Sequence, residues 1–293
     1  AAQIGPPAGN LLANGALAVL TLSLTDQQFE SWGWRVAFLF SAVLVGFGLW
    51  IRLKLEDTPV FKALQESGDR SEAPISEVFK TELRPLVAGI MSRVAPDVIY
   101  ALFTVFSITY GTQKLGFERS EVLTAILIGS ACQLGLIPLA GAVSDRINRR
   151  LVYGVAAVGG VAWSAIFFLV IGGGSLPLLI LGVVVGLAFH SFMYGPQAAF
   201  VTEQFSVRLR STGSSLAYTI AGVFGGAMAP LIFVYLLDKT DSWVPIIGYI
   251  VIVGAVTLIG LTLGRNPDPT EDEHYVLLDQ QHKNATRAAE SAV

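Results

Sequence analysis

The chain has 293 residues, of which 53% are hydrophobic and only 14% charged, and its mean hydropathy is +0.61. So few charges on so much apolar surface exclude an ordinary soluble domain and place the protein in a lipid bilayer. A net charge of −3 gives no reason to expect a nucleic-acid partner, and a single cysteine, Cys132, excludes a disulfide framework and argues against a cysteine metal site. Cys132 reads as a small packing residue in an apolar run.

A bilayer core needs about 20 apolar residues per helix, and eight segments qualify: 4–24, 34–53, 86–110, 122–143, 151–171, 176–200, 212–237 and 244–263. The second carries Arg35 and Arg52 at its ends, where long side chains can snorkel to the headgroups. The third carries Arg93 and Asp97 well inside. There, Arg93, Asp97, Tyr100, Thr104 and Ser107 recur at helical spacing, so one stripe of an otherwise apolar helix is polar and cannot face lipid. A charge near mid-membrane costs at least ~2.5 to 3.5 kcal/mol on insertion scales, which makes an intramembrane ion a functional candidate. Arg93 and Asp97 also stand at i, i+4, the spacing of a purely structural ion pair. Pro96, between them, is expected to free a backbone carbonyl and bend the helix.

On the fourth span Ser130 and Gln133 suit interhelical hydrogen bonds and, less directly, a substrate. His190, Tyr194 and Gln197 on the sixth fall at spacings of four and three on one side of a helix that Pro196 could kink. A transmembrane histidine is often a hydrogen-bonded packing residue, but its titration near neutral pH also suits proton coupling. Gly182 with Gly186, and Gly222 with Gly226, have the spacing that lets helices cross closely. Trp32, Trp34, Trp50 and Trp243 lie near span ends, as interfacial anchors do.

Between the spans, the polar stretch 54–85 reads as a linker, with 57–64 suited to a short interfacial helix. It divides residues 1–53, two spans, from a six-span bundle at 86–264, and a polar tail, 265–293, is expected to be a disordered extension. One set of alternate loops holds Lys54, Lys62, Arg70, Lys80, Arg84, Arg146, Arg149, Arg150, Arg208, Arg210 and Arg265, whereas the other holds Arg35, Lys114, Arg119 and Lys239. The first set is therefore expected on the cytoplasmic side, with both ends of the chain. The chain opens on Ala1-Ala2-Gln3-Ile4-Gly5-Pro6-Pro7, without an initiator Met, a basic pre-segment or a visible signal peptide, and so reads as incomplete.

After the fourth span comes Gly141-Ala142-Val143-Ser144-Asp145-Arg146-Ile147-Asn148-Arg149-Arg150. This GxxxDRxNRR loop resembles the signature loop of the major facilitator superfamily of transporters. Asn148 stands where that family usually has Gly, and Asn tolerates a left-handed turn next best. Gly141 is expected at a close helix crossing, Asp145 at the membrane edge, and Arg146, Arg149 and Arg150 on the cytoplasmic side. The segments Ser31-Trp32-Gly33-Trp34-Arg35-Val36-Ala37-Phe38-Leu39, Leu55-Glu56-Asp57-Thr58-Pro59-Val60-Phe61 and Tyr194-Gly195-Pro196-Gln197-Ala198-Ala199-Phe200 resemble its metabolite:proton symporter branch.

The resemblance implies an all-α integral membrane protein of the major facilitator fold, with eight of an expected twelve transmembrane helices present, its fifth to twelfth. The missing N-terminal helices of the same protein would then be a partner. It also implies that Asp145, Arg149, Glu203 and Arg210 form a salt-bridged network closing the cytoplasmic side. Near Arg93 and Asp97 the branch often has a Glu-Asn pair instead. No Walker loop, zinc spacing or nucleophilic-serine turn points to an enzyme. The expected function is proton-coupled uptake of a small polar metabolite, an organic acid or osmolyte, at the plasma (inner) membrane by alternating access. Arg93, Asp97, Tyr100, Gln133, His190, Tyr194 and Gln197 are the candidate substrate or proton residues, with no cofactor beyond the coupling proton. Two alternatives stand beside it: a proton-coupled efflux antiporter, because Gly5-Pro6-Pro7-Ala8-Gly9 resembles the end of an exporter motif, and a non-transporting sensor or truncated remnant.

Overall fold

The computed structural model describes residues 2–54, 73–266 and 277. The interfacial helix expected at 57–64 and nearly all of the tail lie outside the described residues. Among the described residues the chain is helical throughout, with no strand, and seven helices are long and apolar enough to cross a membrane. After a 3-10 turn, Ala2–Ile4, come α1 (Gly5–Ser23), α2 (Phe29–Lys54), α3 (Pro74–Thr81), α4 (Leu83–Lys114), α5 (Arg119–Arg146), α6 (Arg149–Ile171), α7 (Leu176–Thr202), α8 (Arg210–Thr240) and α9 (Val244–Leu263). The first expected span, 4–24, corresponds to α1, which forms a 19-residue helix but is not among the seven. Its two prolines and two asparagines lower its hydropathy below that of the others.

Two compact units divide the chain, one of residues 5–70 and 270–293, the other of 1–4 and 71–269. In the first, Thr25 and Gln28 form a reciprocal cap ahead of α2: Thr25 N–H donates to Gln28 Oε1 at 3.1 Å, and Gln28 N–H to Thr25 Oγ1 at 3.3 Å. The face that follows is apolar and open, with Phe38 and Leu39 about 70% exposed, as suits lipid or further helices.

The second unit is a six-span bundle, α4 to α9, with one buried core running through it. There α7 packs most extensively on α5 and α6, and α4 on α9 and α8, while α4–α7 and α6–α9 contacts join the two groups. Helix starts are set locally. Glu118 and Glu121 form a reciprocal cap for α5, and Asn148 Oδ1 accepts from the N–H groups of Arg150 and Leu151 at 2.9 and 3.1 Å to cap α6. Asn148 is extended (φ −168°), not left-handed, which corrects the reading of the loop: the residue earns its place as a cap. At the far end of the bundle Lys114 pairs with Asp241, the sole non-glycine residue with positive φ among those described. The hydrogen bond from Lys114 holds the Asp241 carboxyl below the usual carboxylate range. The pair therefore persists through that range and is lost only as pH falls through the lowered value beneath it.

α4 is the irregular member. Pro96 has no N–H to give the Ser92 carbonyl, and the Tyr153 hydroxyl, from α6, donates to that carbonyl at 2.8 Å. One rung earlier, Thr257 of α9 inserts its hydroxyl into the helix: Ala95 N–H donates to Thr257 Oγ1 at 3.0 Å, and Thr257 Oγ1 donates to Met91 O at 2.9 Å. Gly260 permits this approach, since a Cβ there would stand 2.6 Å from Ser92 N. A π-helical turn, Leu102–Phe106, follows.

Candidate functional site

Arg93 and Asp97 sit on α4 where Pro96 and Thr257 break its regularity. Arg93 Nε donates to Asp97 Oδ2 at 3.1 Å, and the two side chains are only 15% and 12% exposed. The Arg93 guanidinium lies 4.1 Å from the ring centroid of Tyr218 on α8, and Gln3 Nε2 donates to the Tyr218 hydroxyl at 3.3 Å. α8 can come this close because it too has a π-helical turn, Gly222–Ala227, within which Gly225 faces α4: a Cβ there would stand 3.0 Å from Asp97 Cβ. Of the predicted Gly222–Gly226 pair, Gly222 has open space, so the close approach belongs to Gly225.

One turn along α4, Tyr100 packs on His190 with ring centroids 4.9 Å apart, and His190 stacks on Tyr194 at 5.0 Å. His190 is 4% exposed, and Gln133 Nε2 lies 2.9 Å from its Nδ1. Around His190, then, Tyr100 of α4, Gln133 of α5 and Tyr194 of α7, residues predicted on the third, fourth and sixth spans, meet in one polar cluster. Gln197, on α7, is fully buried, and neither of its amide atoms has a hydrogen-bond partner among the described residues.

The polar stripe on α4 is shorter than its spacing predicted. Thr104 Oγ1 donates to Tyr100 O at 2.7 Å and Ser107 Oγ to Leu102 O, five residues back, at 2.9 Å, so both hydroxyls are spent on their own helix. The Thr104 bond is the ordinary back-bond of a helical threonine, whereas the Ser107 bond spans the π turn, whose extra residue shifts Ser107 off the α-helical stripe. Ser130 is fully buried in α5, whereas Cys132 is exposed and does not pack as expected. Gly182 and Gly186 make room for the rings of Phe167 and Phe103, not for another helix backbone.

The loop between α5 and α6 forms a charged rim. Arg149 bonds Asp145 at 2.9 Å through Nη2 and Glu203, at the end of α7, through Nη1, so one guanidinium ties three helix ends. Arg150 Nη2 donates to the carbonyls of Gly264 and Arg265 at 2.8 and 2.6 Å, clamping the end of α9. Arg146 is exposed, and Arg210 begins α8, where its carbonyl accepts from Ser214 Oγ at 2.6 Å. Just beyond, Glu82 Oε1 accepts from Ser206 N–H at 3.2 Å and Glu77 accepts from Arg208 at 3.2 Å, docking α3 on the turn after α7.

The close crossing expected at Gly141 is there, but the residue that makes it possible is Gly195. A Cβ on Gly195 would stand 2.8 Å from Ile137 O and 2.9 Å from Gly141 N, whereas one on Gly141 would meet only Gly195 O, at 4.0 Å. Gly195 lies in the Tyr194–Phe200 motif, and that motif was the signal for it. Tyr153, Thr257, Tyr218 and Gln3 had no local signal at all.

A bundle of membrane-length helices, with a buried ion pair and aromatic cluster inside and a charged rim at one end, is the architecture of a multi-span membrane protein. The chain belongs to the Major Facilitator Superfamily, whose family model matches residues 4–230 and 98–277. It is 32% identical to an inner membrane metabolite transport protein of Escherichia coli over 267 residues, 89% of this chain and 60% of that one. It is 31% identical to a citrate-proton symporter of Klebsiella pneumoniae, over 76% of this chain and 50% of that one. To the shikimate transporter of E. coli it is 29% identical, over 78% of this chain and 53% of that one. The chain thus spans between half and three-fifths of the length of these relatives. No solved structure matches it.

Proposed function

We propose that the protein is a proton-coupled symporter, working by alternating access in the inner membrane, that takes up a small polar, anionic metabolite. The observation that carries this reading is the Arg93–Asp97 pair beneath Tyr218. An i, i+4 ion pair contributes about 0.2–0.5 kcal/mol and a desolvated cation–π contact about 2 kcal/mol. Neither offsets the ~2.5 to 3.5 kcal/mol that each charge costs in mid-membrane, so the pair is poor as a structural device. A guanidinium fork matched to carboxylate is, by contrast, a good receptor for an anion, and Asp97 beside it is a carboxylate that can take up the coupled proton. The unpartnered Gln197 amide, and the cluster of Tyr100, Gln133, His190 and Tyr194, supply further polar contacts for a cargo. The symporter among the relatives is consistent with this direction of coupling.

The test is uptake in vesicles with an imposed proton gradient. An inward gradient should drive accumulation of an anionic metabolite, and Arg93→Lys, which keeps the charge but loses the fork, should weaken substrate binding roughly ten- to a hundredfold, the worth of about 1.5–3 kcal/mol for hydrogen bonds to a charged group. Accumulation only under the opposite gradient would favour the antiporter. Normal binding by Arg93→Lys, with transport restored on neutralising Arg93 and Asp97 together, would make the pair structural.

In the same reading the Asp145–Arg149–Glu203 rim, where Arg149 joins α5, α6 and α7, belongs to the cytoplasmic gate. Asp145→Asn should slow transport at least several-fold while leaving equilibrium binding within about twofold, since each exposed pair contributes at most about 1 kcal/mol and lies away from the cluster. A large loss of binding at unchanged transport rate would count against the gate.

A further inference from the structure

Gln133 and His190 meet in a setting that settles which of them donates. The amide atom of Gln133 that lies 2.9 Å from His190 Nδ1 is also 3.4 Å from Leu187 O and 3.4 Å from Ser191 Oγ. A carbonyl oxygen can only accept. The Ser191 hydroxyl hydrogen is already given to Leu187 O, at 2.8 Å, which leaves Oγ with lone pairs toward the amide. Two acceptors, Leu187 O and Ser191 Oγ, therefore flank that corner of Gln133 beside Nδ1. An amide oxygen placed there would be repelled by Leu187 O and would gain only one partner, so the atom is the nitrogen.

We propose that Gln133 is a positioning residue that fixes His190 as the neutral Nε2–H tautomer and so makes its far edge a permanent hydrogen-bond donor. With an N–H of Gln133 directed at it, Nδ1 must carry a lone pair, and the ring's one proton resides on Nε2. A second proton on Nδ1 would confront the Gln133 amide hydrogens across 2.9 Å. The ring packs against Tyr100 of α4 and Tyr194 of α7, so it cannot turn its edges over without disturbing both. These tyrosines are the titratable groups facing it from α4 and α7, Gln133 is the group that faces it from α5, and the charges of Arg93 and Asp97 lie beyond the tyrosines.

The inference rests on the transport reading for its use and deepens it in one respect. A fixed Nε2–H asks for an oxygen acceptor on the cargo, in line with the anion sought by Arg93, and it removes His190 from the candidates for carrying the proton, leaving Asp97. The chemistry itself can be tested without any transport. The protein contains three histidines, His190, His274 and His282, so the His274→Gln/His282→Gln variant of the full chain leaves His190 alone. With 15N-labelled histidine in lipid at pH 7, its Nδ1 should show the chemical shift of an unprotonated nitrogen and Nε2 that of a protonated one. Gln133→Glu, which replaces the donor by a carboxylate, should move a proton onto Nδ1. An Nδ1–H tautomer or a doubly protonated ring in the Gln133 protein would overturn the proposal. So would an unchanged Nε2–H tautomer in a folded Gln133→Glu variant. A failed uptake experiment with the expected tautomer in place would instead reject only the transport reading.

Discussion

At the scale of single residues, Gly195 and Gly141 look alike in sequence and differ in what they exclude. The virtual Cβ of Gly195 meets the Ile137 carbonyl oxygen and the Gly141 nitrogen, both backbone atoms that cannot swing aside as a side chain can. Gly195→Ala should therefore destabilise the bundle by about 1–3 kcal/mol, the usual cost of overpacking, as a lower unfolding midpoint in detergent. Gly141→Ala meets only ordinary contact distances, and the gain of about 0.5–1 kcal/mol in helix propensity should leave its midpoint unchanged or slightly raised. Equal losses at both positions would show that the crossing is tight on both helices. The motif reading placed the close approach on Gly141 because that glycine is the one beside the charges, whereas the approach itself is set by which backbone lies opposite, and this is information from another helix.

At the scale of the element, α4 shows how one proline is accommodated by two distant hydroxyls. The freed carbonyl was legible in Pro96. The Tyr153 and Thr257 hydroxyls that bond the helix there lie 61 and 162 residues from their partners, and nothing in the local pattern marks them. The same holds for the stripe: α-helical spacing relates Arg93, Asp97 and Tyr100, while Thr104 bonds back to its own helix and Ser107 lies beyond a π turn that breaks that spacing. The two hydroxyls should not be equivalent. Tyr153→Phe leaves Ser92 O with no possible replacement donor, because Pro96 has none, and should cost about 1–3 kcal/mol. Thr257→Val removes a hydroxyl from between Ala95 N–H and Met91 O, which are i+4 and i and can then bond each other, so the loss should stay below about 1 kcal/mol. Unfolding midpoints of the two variants compare them directly, and a Thr257→Val loss as large as that of Tyr153→Phe would mean that the helix cannot close the gap.

At the scale of the whole molecule, the alternation of loop charge inferred from sequence has a structural counterpart in the six-span unit. Arg84 reaches Leu263 O at 3.1 Å, Arg149 reaches Glu203, Arg150 reaches Gly264 O and Arg208 reaches Glu77, so the basic loops before α4, between α5 and α6, between α7 and α8, and after α9 share one end. Lys114 and Asp241 pair at the other, joining the end of α4 to the turn before α9. The arginine-rich end should therefore face the cytoplasm, because basic residues in short loops resist translocation. In a Cys132→Ser background, Ile147→Cys, at a position 65% exposed in the α5–α6 loop, should react with a membrane-impermeant maleimide only in inside-out vesicles. Gln113→Cys, next to Lys114, should react only in intact cells. Labelling of both from the same face would break the alternation of the spans themselves, and labelling of each from the opposite face would leave the bundle intact but reverse its orientation, placing the Asp145–Arg149–Glu203 rim outside the cell.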